Sequence, residues 1–123
     1  MNSSMIVERL KEFSPEVIYI FGSVAKGEER KGSDIDIAFY SNCEQTALGI
    51  YTAAQELAIK LNRDVDLVDL RRVGSVLQKE IVEHGKVIFE KSASFRSEME
   101  LKIIKNYVKF CEERKSLIEN FEV

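Results

Sequence analysis

Hydrophobic and polar positions alternate along this chain in two different periods, and the periods predict the elements. Ile6, Val7 and Leu10 share one side of a short opening helix over residues 3–12, which Ser14-Pro15 stops. Val17–Phe21 is a continuous apolar run, the pattern of a strand buried on both faces. Gly22-Ser23 turns the chain into a short helix, and the charged stretch 28–32 reads as an exposed loop. Ile35, Ile37 and Phe39 then alternate with Asp34, Asp36 and Ala38, which predicts a second strand with one apolar and one functional face.

Further along, Ser41 and Glu44 have the spacing of a capping box, opening a helix that runs to about Leu61. Ala47, Tyr51, Ala54, Ala58 and Leu61 fall at helical spacing and are its expected core face. Residues 64–70 (DVDLVDL) alternate as a third strand. A helix from Val73-Gly74-Ser75 to His84 follows, with Gly85 as its stop, then a fourth strand around Val87, Ile88 and Phe89. Residues 92–96 read as a linker. From there to Phe121 no Gly or Pro interrupts one long helix. Its apolar residues form two lines, one through Phe95, Met99, Ile103, Tyr107, Phe110, Leu117 and Phe121, the other through Leu101, Ile104, Val108, Cys111 and Ile118. That arc is wider than the ~100° stripe of an ordinary surface helix, so one interface does not cover it. Strands alternating with helices indicate an α/β (α+β) fold, a mixed sheet of about four short strands flanked by helices. The expected division is a domain over residues 1–91 and a C-terminal helix over 92–123, packing on that domain and on a partner.

Composition narrows the class. The 123 residues carry a net charge of −3, which does not suit electrostatic capture of nucleic acid. No apolar run approaches the roughly 20 residues of a membrane span, and residues 1–10 lack a signal-peptide core, so the cytoplasm is expected. Cys43 and Cys111 match no metal-ligand spacing and read as reduced thiols. His84, the single histidine, falls at a helix C-terminus, where a cation suits the dipole.

The carboxylates carry the candidate chemistry. Asp34 and Asp36 project from one side of a strand and repel each other unless a cation lies between them. Asp64 and Asp66 share a face of the third strand, Asp69 the other. If that strand neighbours the second, Asp66 is better placed than Asp64 to complete a cluster able to hold two Mg²⁺ ions, with Mn²⁺ an alternative. The stretch Gly22–Gly27 fails as a P-loop, because Glu28-Glu29 stand where Lys and Ser/Thr are required. A Gly-Ser at a strand-to-helix turn can still receive phosphate on its backbone N–H groups. Lys26, Arg30 and Lys31 lie between and are able to meet phosphate charge.

Joined together, Gly22-Ser23, ten residues and Asp34-Ile-Asp36 resemble the signature of the DNA polymerase beta-like nucleotidyltransferase superfamily. The fuller string, Phe21 to Gly27 and then Gly32-Ser-Asp-Ile-Asp-Ile37, is similar to its minimal (MNT) branch, and residues 64–68 to the strand that supplies a third carboxylate at Asp66. Residues 95–121 resemble the terminal helix of MntA-type antitoxins. The resemblance implies that Asp34, Asp36 and Asp66 are catalytic and hold the metal, that Gly22, Ser23, Lys26 and Ser33 bind the nucleotide, and that ATP is the substrate. Lys26 stands where many relatives have Arg, which grips phosphate bidentately. The resemblance also implies a HEPN-domain ribonuclease toxin as partner, silenced by AMP moved onto a tyrosine. Two other readings are a nucleotidyltransferase for a small hydroxylated acceptor such as an aminoglycoside, and a toxin-binding antitoxin without catalysis.

Overall fold

The computed structural model describes residues 3–25, Gly27 and 34–121. Helix α1 (Ser3–Leu10) ends in a 3₁₀ turn over Lys11–Phe13 and leads into β1 (Pro15–Phe21). The one-turn helix α2 (Gly22–Ala25) follows directly. Strand β2 (Ile35–Ser41), α3 (Ala47–Leu61), β3 (Val65–Asp69), α4 (Ser75–His84), β4 (Lys86–Glu90) and α5 (Ala93–Phe121) complete the chain. The predicted loop over residues 28–32 lies outside the described residues.

The four strands form one mixed sheet in the order β3-β2-β1-β4. Both neighbours of β1 run antiparallel to it, while β3 runs parallel to β2. β1 is central and, as its unbroken apolar run predicts, buried on both faces. Ile18 and Ile20 join Ile35, Ile37, Phe39 and Leu67 on one face, beneath Ile6 and Leu10 of α1 and Ala53 and Leu57 of α3. Val17 and Tyr19 join Ala38 and Leu70 on the other, beneath Ile81 of α4 and Met99 and Ile103 of α5. The result is a three-layer sandwich with two helices on each face.

Four expectations change. The cap of α3 is Thr46, whose side chain accepts from the Gly49 N–H at 3.0 Å. Ser41 ends β2 instead, and its buried hydroxyl donates to the Phe13 carbonyl at 2.6 Å. The capping-box pattern thus marks a strand end, because a tertiary partner claims the serine. The core face of α3 is Ala53, Ala54 and Leu57, and Tyr51 is exposed. Ala38 belongs to the second core, so the functional face of β2 is closed beyond Asp36. Residues 93–96 are no linker. They form the first turn of α5, with the Phe95 N–H donating to Ser92 Oγ at 3.3 Å.

The first half of α5 is tied to the sheet. Tyr19 Oη donates to Glu100 Oε1 at 3.0 Å, and Arg96 bonds both Glu100 and Glu90. Burial and the Glu100 charge push the Tyr19 hydroxyl well above the ordinary tyrosine range, so it stays a donor. Beyond Tyr107 every described residue of α5 is exposed. At 1.5 Å per residue this free half projects roughly 20 Å. No helix among the described residues is long and apolar enough to cross a membrane.

Candidate active site

The site forms where β1 ends. Phe21, its last residue, pairs with Asp36 in the antiparallel register. The chain turns at Gly22 with φ +74°, a conformation that side chains oppose. A Cβ at this position would stand 2.3 Å from Asp36 Oδ2. Two independent constraints therefore select glycine here, the backbone angle and the closeness of the carboxylate. Ser23 follows, half-buried, in α2.

The parallel register between β2 and β3 sets Asp36 directly beside Asp66. Both lie on the α4/α5 face, since their neighbours Ile35, Ile37 and Leu67 pack in the opposite core. Asp34 immediately precedes β2 and is exposed, as is Asp66, while Asp36 is half-buried. Burial is the largest cause raising the Asp36 pKa above the ordinary carboxylate value, followed by the charges of Asp66 and then Asp34. Asp66 and Asp34 thus both act electrostatically on Asp36. Asp64 contributes its backbone, accepting from the Ile35 N–H at 2.9 Å and so fixing where β2 and β3 begin to pair.

Asp69 has a structural part. Nine-tenths buried at the far end of β3, it accepts from the Arg71 N–H at 3.0 Å and pairs with Arg72 at 3.6 Å. His84 lies at the end of α4 beside Glu83. Cys43 and Cys111 are both free. Lys26, Arg30, Lys31 and Ser33 lie outside the described residues.

The donor set is all oxygen, which suits a hard divalent cation such as Mg²⁺ or Mn²⁺. Among the described residues no three His, Cys, Asp or Glu side chains are drawn together closely enough to hold an ion as they stand. The closeness of Gly22 to Asp36 escaped the sequence reading. A Gly directly after an apolar strand-like run was its one available signal.

A glycine turn set against in-register aspartates, on a mixed sheet between helix layers, defines a nucleotidyl-transfer architecture. The family described as "Polymerase beta, Nucleotidyltransferase" matches residues 5–94, and the chain belongs to it. The chain is 37% identical over 91 residues to the protein adenylyltransferase MntA of Shewanella oneidensis, a match covering 72% of this chain and 66% of that protein. The matched stretch therefore spans just under two thirds of that relative. Among solved structures, a chain of a toxin–antitoxin complex with AMP-PNP superposes with a TM-score of 0.88 at 32% identity, over the whole of both chains. A chain of the complex between tri-AMPylated Shewanella oneidensis HEPN toxin and MNT antitoxin superposes with a TM-score of 0.79 at 30% identity, covering 98% of this chain and 96% of that one.

Proposed function

We propose that this chain is a Mg²⁺-dependent cytoplasmic adenylyltransferase that moves AMP from ATP to a tyrosine hydroxyl of a HEPN ribonuclease toxin, thereby neutralising it. The observation that carries the proposal is the Asp36–Asp66 register beside a glycine turn; likeness in sequence to a protein adenylyltransferase and in fold to an MNT antitoxin supports it. Asp34, Asp36 and Asp66 hold the divalent ions, two by analogy with other carboxylate-bound phosphoryl-transfer sites. Divalent ions held by these carboxylates would neutralise triphosphate charge and lower the pKa of the acceptor hydroxyl. Gly22 and Ser23, with Lys26 and Ser33, receive the triphosphate. The acceptor oxygen attacks the α-phosphorus, its proton leaves to a carboxylate or water, and the bond to the departing pyrophosphate breaks.

In this reading residues 1–91 supply the chemistry, and the helix from residue 92 onward engages the toxin. The support is the half of α5 that stands clear of the sheet. Leu117 is 64% and Phe121 87% exposed, on a helix whose first half is already packed.

The test is the intact mass of the HEPN protein after incubation with this chain, ATP and Mg²⁺. The expected result is a gain of one or more AMP units, abolished by the double variant Asp34→Ala/Asp36→Ala. Neutralisation by that double variant with no mass gain would instead establish a purely steric antitoxin.

A further inference from the structure

β3 forms one edge of the sheet, and among the described residues its only strand partner is β2. The ladder between them fixes which backbone groups are spent. The Asp64 carbonyl accepts from Ile35 N–H, and the Leu70 N–H donates to the Phe39 carbonyl, each at 2.9 Å. Along a parallel strand these groups alternate sides, so even-numbered residues face β2 while Val65 and Leu67 direct their N–H and C=O groups off the edge. Such edges are ordinarily blunted by charged side chains, which this edge has in Asp64 and Asp66, or by proline or a bulge. β3 has no proline, and its register with β2 runs unbroken from Val65 to Asp69. A groove of about 520 Å³ follows it, walled by α3 through Ile50 and Tyr51 and by β3 itself, Asp66 included.

We propose that the open edge of β3 receives an extended segment of the acceptor protein as a fifth strand, delivering the reacting hydroxyl to Asp66. This rests on the function proposed above and adds how the acceptor is held. Charge selects the occupant. Asp64 and Asp66 are exposed along this edge, so a second copy of the chain would set like charges opposite each other. A segment with Lys or Arg flanking its hydroxyl residue meets those carboxylates favourably. Its alternate apolar side chains rest on Ile50 and Tyr51. Backbone pairing supplies affinity, and the alternating side chains supply specificity. A residue directly opposite Asp66 has its Cβ about 5 Å away, on the face that Asp36 shares.

Residue-resolved amide exchange of this chain, alone and with the HEPN protein, tests the proposal. The Val65 and Leu67 amides should slow roughly tenfold or more on complex formation, while the Asp66 and Val68 amides, already in the ladder, serve as the internal reference. Val65→Pro removes one outward N–H at the first residue of the strand, where proline is tolerated. It should lower kcat/KM toward the HEPN acceptor roughly three- to tenfold, as for one lost hydrogen bond, with Mg-ATP affinity unchanged. AMP transfer by the unaltered chain with Val65 and Leu67 exchanging at their free rates overturns the edge proposal alone. Absence of any transfer overturns the proposed function and this inference with it. If Val65→Pro fails to fold, exchange in the unaltered chain decides.

Discussion

Asp36 is the residue at which folding and chemistry conflict. Burial and two neighbouring carboxylates raise its pKa, so the folded state holds this proton more tightly than the unfolded chain does. Its contribution to stability is therefore present below the unfolded pKa and lost as pH rises through the folded one. In divalent-free buffer at neutral pH, Asp36→Asn should raise the thermal midpoint while abolishing transfer. The difference should shrink as pH falls into the carboxylate range. Calorimetry across that range measures it, and added Mg²⁺ should stabilise the unaltered chain more than the variant. Gly22 is the companion constraint. Gly22→Ala meets both a positive φ and an Asp36 oxygen 2.3 Å from the new Cβ, and should cost about 1–3 kcal/mol in chemical denaturation. It should also lose activity, because the carboxylate must move to admit the methyl group.

At the scale of elements, period-2 alternation located β2 and β3 to within a residue, and the apolar run Val87-Ile88-Phe89 located β4. Signals that depend on a tertiary partner read less well. Ser41 resembles a helix cap, yet its hydroxyl is engaged by the Phe13 carbonyl across the fold, leaving Thr46 to cap α3. Tyr51 sits at core spacing on α3, yet the small residues Ala53 and Ala54 face the sheet, since they admit close helix–strand approach. Gly85 ends α4 in extended conformation with φ −72° and is needed for room, because a Cβ would meet the Ile81 carbonyl at 2.3 Å. The breadth of the apolar arc on α5 was legible, and its division was not. Met99 and Ile103 go to the sheet, while Leu117, Ile118 and Phe121 remain exposed. Leu117→Glu with Phe121→Glu should therefore leave the denaturation midpoint within about 0.5 kcal/mol of the unaltered chain. The same double variant should weaken the HEPN complex at least roughly tenfold by titration calorimetry, as for loss of interface anchors.

At the scale of the molecule, the sheet order brings together aspartates separated by about thirty residues in sequence. The spacing Gly22-Ser23 to Asp34-Ile-Asp36 was visible in one dimension. That β3 lies beside β2, in parallel register with Asp66 against Asp36, is a fact of topology that no local pattern encodes. The same topology leaves β3 at an edge of the sheet and half of α5 clear of it, and these are the surfaces proposed above for the acceptor.

The measurement that bears most directly on the central claim uses ATP labelled at the α-phosphate and, separately, at the γ-phosphate, with this chain, Mg²⁺ and the HEPN protein. Adenylyl transfer predicts label on the HEPN protein from the α position alone, in step with pyrophosphate release and with loss of ribonuclease activity. Label from the γ position, or inhibition without any label, would contradict it.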